Sequence, residues 1–324
     1  MRDETANQLA EERGRLALRR RLLYETHLLL PGFEMATREA AIMQLMLGPE
    51  PAALQFERFT ERVLSAMGKK YLPVYRMADG EFAFAVGRRA PIGRQARSMS
   101  ARTWWRRLAG IARRVCKPFR ASDISTMWGE SYTAAELPAM RRAYVQHLQH
   151  IAHKGILAIH FTRSPGRFSE EYIDLVCEWL DRNGMELGEL NYTSFYFVYA
   201  LLNGPQRRSL YGRHRIAVAT SADRHKRTLI EASLRSEGAL DVQFLPISPT
   251  RTMTDNVDLA ILEPPIDLVL VAGGIGSANI LAQLEPLQTV CLDAGVCVEC
   301  LADPRLKTER SFLIDDAGLL DRRE

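Results

Sequence analysis

From Lys70 onward, short apolar runs alternate with segments of helical periodicity, and this alternation restricts the fold more than any other feature of the chain. The strand candidates are 71–77 (YLPVYRM), 123–128 (DISTMW), 155–161 (GILAIHF), 214–220 (HRIAVAT), 240–247 (LDVQFLPI), 267–273 (DLVLVAG) and 288–294 (QTVCLDA). Between them lie helical segments near 101–116, 133–152, 169–183, 193–203, 223–236 and 277–285. Several strands are apolar almost throughout, which requires cover on both faces, and strands joined through helices pair in parallel. The expectation is an α/β architecture: a Rossmann-like, mostly parallel sheet with helices on both faces.

The first 69 residues read differently. Helical stretches are expected over 4–30, about 36–48 and about 52–67, with Pro31 and Gly32 ending the first. Leu9, Leu16, Leu23 and Leu30 stand seven apart, but the complementary heptad positions hold Arg19, Arg20 and Thr26, so a full coiled-coil seam is not written. This predicts a helical N-terminal extension (1–69) used for packing or for homodimerisation, followed by one Rossmann-like domain (70–324). With 324 residues, 47% of them hydrophobic, the chain can bury a substantial core. No uninterrupted apolar run of about 18 residues occurs, and the opening MRDETANQLAEERGRL is too charged for the centre of a secretory signal. A cytoplasmic protein without a transmembrane segment is expected, with any membrane contact peripheral. Five cysteines in mostly apolar surroundings suit buried reduced thiols; Cys297 and Cys300 form a lone CxxC with no second pair for a zinc site.

The formal charge of +4 hides a strong asymmetry. Between Arg88 and Arg120 stand eleven Lys or Arg and no Asp or Glu, leaving 32 basic against 39 acidic residues elsewhere. Part of this block, ARTWWRRLAGIARRV, places Trp104, Leu108, Ile111 and Val115 at helical spacing, with Arg102, Arg106, Arg113 and Arg114 largely off that stripe. Such a block is either a solvated helix face or a surface for an anion: phosphate, acidic lipid or nucleic acid.

Ligands of parallel α/β sheets collect at the carboxyl ends of the strands, where loops and helix N-termini converge. The segment RMADGE follows the first strand. Asp79 and Glu81, with Gly80 between them, can both turn to one side, and two hard oxygen donors on a short loop suit Mg²⁺ or Mn²⁺. Equally, Asp79 can cap the helix GEFAFAV while Glu81 joins its first turn. The late turn AGGIGSAN has Gly273, Gly274 and Gly276, whose backbone N–H groups, with the helix N-terminus at Ser277, fit a phosphate or diphosphate or else serve a tight packing turn. It lacks the third glycine of the dinucleotide fingerprint and the Lys of a P-loop. In TSADRHK, Ser221 or Asp223 is the expected cap, with Arg224, His225 and Lys226 following; Arg163 and Ser164 form another short basic loop. His160 reads as a core histidine with a hydrogen-bond partner. His147, His150 and His153 read as a solvated helical edge. No GxSxG elbow or HExxH spacing is present.

Taken together, these residues resemble the glycosyltransferases of the GT-D fold, whose DXE signature is an Arg-x-Gly-Asp-Gly-Glu segment after an early strand. RMADGEF matches at Arg76, Asp79, Gly80 and Glu81, with Ala78 where the family has Gly. The family's late Gly-rich turn and Asp-x-Gly-His strand end are similar to LVLVAGGIGSA and LDAGV, with Val296 in place of the His. The likeness spans roughly residues 70–300. It implies a nucleoside-diphosphate sugar as donor, Mn²⁺ or Mg²⁺ held by Asp79 or Glu81, and transfer of the sugar to an acceptor, which an anionic group would suit if the basic block holds it. It further implies that Arg76 and the Gly274–Ser277 turn stabilise the departing diphosphate. Asp293 would bind ribose or sugar, or act as base. The residues by themselves also admit a non-catalytic nucleotide or nucleic-acid binding module built on 88–120, and a metal-dependent phosphoesterase.

Overall fold

The structure, a computed structural model, describes residues 24–30, 32, 43–86, 124, 125, 130–133, 135–163 and 170–309. In chain order, strands β1 (Tyr24–His27) and β2 (Met43–Met46) precede helix α1 (Ala52–Ala66), and strand β3 (Leu72–Met77) runs into α2 (Asp79–Val86). Two short strands, β4 (Ile124–Ser125) and β5 (Ser131–Tyr132), are followed by α3 (Leu137–Lys154), β6 (Ile156–Ile159), β7 (Thr162–Arg163) and α4 (Glu170–Arg182). Strand β8 (Tyr192–Ser194) leads into α5 (Phe195–Asn203) and α6 (Arg207–Tyr211). The remainder is β9 (Arg215–Thr220), α7 (Arg224–Ser236), β10 (Asp241–Pro246), β11 (Leu268–Val271), α8 (Ser277–Gln283), β12 (Val290–Asp293) and α9 (Val296–Ala302).

Seven strands form one parallel sheet in the order β10, β9, β11, β12, β3, β6, β8. Side chains of a strand alternate between faces, and here both faces are covered. Leu72, Val74, Ile216, Val218, Leu268, Leu270, Val290 and Leu292 pack with α1, α5, α7 and α9. Tyr75, Met77, Leu157, Ile159, Val269, Val271 and Cys291 pack with α3, α4 and α8. This double burial is why the strands read as continuous apolar runs. Local signals set the helix starts: Ser194 Oγ accepts the Tyr196 N–H at 3.2 Å to begin α5, and Asp223 accepts the Lys226 N–H at 2.9 Å to begin α7. Strand β9 leads outward to β10 whereas β11 leads inward to β12, so the connections diverge between β9 and β11 and open a crevice at the carboxyl ends.

The expected Rossmann-like α/β sheet is therefore present, and six of the seven expected strands belong to it. Several expectations need correction. Within 24–30 the backbone forms β1, and within 36–48 it forms β2; the two are antiparallel, and β2 also pairs with β7. The extension is thus not wholly helical. Nor does it stand apart from the sheet: Leu28, Leu30 and Met46 are buried in the same core as Val74 and Leu292, so Leu30 is taken up by this chain's own packing and is not offered to a second copy. Of the run 123–128 the described residues are Ile124 and Ser125, which form β4, paired with β5 outside the main sheet. Conversely β8 was not expected, because three residues carry too little periodicity. The helix at 101–116, the rest of the 88–120 basic block, residues 1–23 with Leu9, Leu16 and Leu23, and Ser164 lie outside the described residues. Cys177, Cys291, Cys297 and Cys300 are buried. Among the described residues no helix is long and apolar enough to cross a membrane.

Phe197 is fully buried on α5, with its ring edge-on to Phe56 at 5.4 Å and 6.1 Å from Phe59. It ties α1 to the sheet. Phe197→Ala should cost about 3–5 kcal/mol in urea unfolding, whereas truncating the exposed Leu190 should change the midpoint little.

Candidate functional site

A cavity of about 530 Å³ lies over the carboxyl ends of the central strands. Strand β3 and its turn contribute Arg76, Ala78 and Glu81; the exits of β9 and β11 contribute Ser221, Ala272, Gly273 and Gly274; β12 and α9 contribute Asp293, Gly295, Val296 and Glu299. Helix α5 adds Phe195 and Tyr199, and the loop after β10 adds Ser248, Pro249 and Thr252. Glu130 completes the wall.

Arg76 is the centre of this arrangement. It follows Leu72 and Val74 in the alternation, so its side chain emerges on the face covered by α5 and α9, with only 7% of it exposed. Its Nε donates to the Asp293 carbonyl at 2.6 Å, its amide donates to Asp293 Oδ2 at 3.2 Å, and its Nη2 pairs with Asp293 Oδ1 at 3.6 Å. The guanidinium lies over Tyr199 at 4.6 Å and Phe195 at 5.3 Å, a cation held against two rings. Gly295 closes the other side. Its φ of +47° is one that side chains rarely adopt, and a Cβ there would stand 1.9 Å from Arg76 Nη2.

The acidic residues differ in environment. Glu81 Oε2 accepts the Ala78 N–H at 3.1 Å, so the third residue of α2 reaches back to the residue before the helix, as in a capping box. Burial raises the Glu81 pKa from 4.5 to about 7, with the nearby Asp293 charge adding to the effect. Burial also raises the Asp293 pKa, against the opposing pull of Arg76. Asp293 is 4% exposed, and its Oδ1 has no hydrogen-bond partner. Asp79 is the first residue of α2 and Gly80 the second; the Asp79 side chain lies outside what the structure describes.

The glycine turn is more occupied than its sequence implies. The Gly273 N–H donates to Ser277 Oγ at 3.2 Å and the Gly276 N–H to the Gly273 carbonyl at 3.0 Å, while Ser277 itself is fully buried. A Cβ on Gly276 would fall 2.0 Å from Thr252 Oγ1, so this glycine serves close packing against the loop after β10. Gly274, with φ +55° and open space beside it, is the member that faces the cavity together with Gly273.

The structure thus brings together Arg76, Glu81, Gly273, Gly274 and Asp293 from separate parts of the sequence. Among the described residues, the other candidate histidines and the basic cluster of α7 sit elsewhere. His160 Nε2 lies 2.9 Å from the Tyr196 hydroxyl, as expected of a core histidine with a partner. His150 pairs with Glu285 at 3.3 Å on the α3 surface, and burial lowers the pKa of His147. Arg224, His225 and Lys226 are exposed. Sequence reasoning missed Glu130, Thr252, Phe195, Tyr199 and Glu299. Phe195 and Tyr199 were legible only as a helical i, i+4 pair, and nothing in the run WGESY marks Glu130.

Comparison of the chain with family models, with curated proteins and with solved structures found no match.

Two outcomes follow from this geometry. Gly295→Ala should destabilise the fold by roughly 1–3 kcal/mol and displace Arg76, visible as a lower melting temperature. Glu81 binds a proton more tightly in the folded than in the unfolded chain, because its folded value lies above the ordinary one. Its contribution to stability is full below about pH 4.5 and is lost as pH rises toward about 7. In denaturant titrations at a series of pH values, Glu81→Gln should flatten this window and gain relative to wild type above it.

Proposed function

We propose that the chain is a glycosyltransferase that takes a nucleoside-diphosphate sugar as donor and uses a divalent cation, Mn²⁺ or Mg²⁺. One observation carries this reading. The RMADGE segment and the DAG strand end, which hold the two halves of the GT-D resemblance, lie 217 positions apart in sequence from Arg76 to Asp293, yet meet over adjacent strands in one cavity.

The charge balance of the cavity supports a cation. Among the described lining residues Glu81, Glu130, Asp293 and Glu299 face a single cationic side chain, Arg76, which is already clasped by Asp293. A bare diphosphate would meet net repulsion there. Among the described residues no three His, Cys, Asp or Glu side chains group closely enough to hold a metal ion unaided. Mg²⁺ and Mn²⁺ are bound through one or two carboxylates and completed by water and phosphate oxygens. Glu81 is the described ligand in this reading, and Asp79 its neighbour on the same turn. When bound, the cation would neutralise charge growing on the leaving diphosphate.

The protein's own groups have separate tasks in this reading. Arg76 presents a fixed positive charge that needs no reorganisation as the donor bond breaks, since Asp293, Phe195, Tyr199 and Gly295 already hold it. Phe195 and Tyr199 offer apolar area beside that charge for a sugar or base ring. Asp293, spent on Arg76, is a positioning residue in this scheme and not the acceptor's base.

The test is a thermal-shift panel of nucleoside diphosphates and nucleotide sugars with and without Mn²⁺. Stabilisation should require both components and should vanish in Asp79→Ala and Glu81→Ala, with Arg76→Lys weakening it by about tenfold or more through loss of the planar, stacked fork. Nucleotide binding that ignores Mn²⁺ and survives both carboxylate substitutions would overturn the assignment. Release of free sugar without an acceptor would point to a hydrolase.

A further inference from the structure

The loop that follows β10 folds back over the cavity, and Glu130 is what fastens it. Thr252 donates its amide to Glu130 Oε1 at 3.2 Å and its hydroxyl lies against the same oxygen, while the Tyr132 hydroxyl donates to Oε2. The Thr252 hydroxyl has an alternative acceptor, the Gly273 carbonyl at 2.9 Å. From below, Asn279 Nδ2 holds the Thr252 and Asp255 carbonyls at 2.9 and 2.8 Å. Glu130 is only 3% exposed, yet it lines the cavity.

A buried carboxylate usually has a cationic partner. Among the described residues no cation forms an ion pair with Glu130: Arg251, close enough to feel its charge, pairs with Glu136 and stacks on Tyr132 at 5.7 Å. Among the described residues the neighbours of Glu130 supply three donors: the Thr252 amide, the Thr252 hydroxyl when not given to Gly273, and the Tyr132 hydroxyl. A carboxylate offers about four acceptor positions. Capacity therefore remains on Glu130, which lines the cavity together with Asp293, whose buried Oδ1 has no hydrogen-bond partner. A phosphate or carboxylate brought to this wall would be repelled, and a hydroxyl would be welcomed.

We infer that Glu130 is a substrate-recognition residue that accepts a hydrogen bond from a hydroxyl of the bound donor, either on the nucleotide ribose or on the sugar to be transferred. The inference rests on the nucleotide-sugar reading above. It gives the wall opposite Arg76 a role: Arg76 faces the charged part of the donor and Glu130 its neutral, hydroxylated part. The three neighbouring donors fix the carboxylate before the ligand arrives, so little side-chain freedom is lost on binding.

The test is calorimetric titration in Mn²⁺ of wild type and Glu130→Gln. The parent ligand is whichever of uridine, guanosine, adenosine or cytidine diphosphate glucose the wild type binds. Two sets of analogues are compared with it: the 2′-deoxyribose form, and forms lacking one glucose hydroxyl at a time. One analogue should bind wild type about tenfold or more weaker than the parent, since hydrogen bonds to charged groups are the stronger kind. In Glu130→Gln that penalty should shrink to less than about threefold, a coupling that a purely structural role would not produce. The ribose analogue showing the effect identifies one source of the hydroxyl, and a sugar analogue the other. Should Glu130→Gln fail to fold, Glu130→Asp withdraws the carboxylate by one methylene and should lose the same penalty. An equal penalty in wild type and variant, or none for any analogue in wild type, overturns the role of Glu130 while leaving the nucleotide-sugar reading intact. Binding of none of the four parents overturns both.

Discussion

The clasp between Arg76 and Asp293 is the interaction on which the site depends. It joins the carboxyl ends of β3 and β12, two adjacent strands at the middle of the sheet, through a backbone carbonyl, a backbone amide and a buried charge pair. A charge pair so deeply buried is not a source of net stability, because removing two ions from water costs several kcal/mol before their attraction offsets it. Its value is positional. Two contacts, through Nε and Nη2, and two aromatic rings hold the guanidinium in place, and the absence of a side chain at Gly295 makes room for it.

The carboxylates around that fixed charge are kept in unlike states by unlike surroundings. Glu81 is desolvated and reaches only a backbone N–H, so its proton affinity rises toward neutrality. Asp293 is equally removed from water but faces Arg76, which pulls the other way. Glu130, elsewhere on the cavity wall, accepts hydrogen bonds from two hydroxyls and an amide. A cavity with this surplus of negative charge favours ligands that bring positive charge or hydroxyl donors, which is the physical content of the donor-plus-cation proposal.

Much of the sheet was legible in the chain because a strand buried on both faces must be apolar at nearly every position. GILAIHF, HRIAVAT and DLVLVAG announce themselves in that way, and the helices between them carry their own period. Short or half-polar strands gave no such signal: MQLM and NYTS pass for helix or loop, and DISTMW passes for a core strand although its described residues, Ile124 and Ser125, pair with β5 outside the main sheet. In the site, Arg76, Glu81 and Gly274 were found because charged residues or a glycine run at the end of a buried strand are conspicuous. Glu130, Thr252, Phe195 and Tyr199 were not, since each belongs to a segment with an ordinary local pattern.

The amino-acid order alone determined that a parallel, doubly covered sheet would form and that polar residues would gather where its strands end, since hydrophobic periodicity is a local property of the chain. Only the tertiary structure decided which strand ends are neighbours. It set β12 beside β3, brought the Asp293 carboxylate to Arg76 and folded the loop bearing Thr252 onto Glu130. Strand order arises from packing both faces of the sheet at once, and contacts between positions more than a hundred residues apart leave no mark in local periodicity.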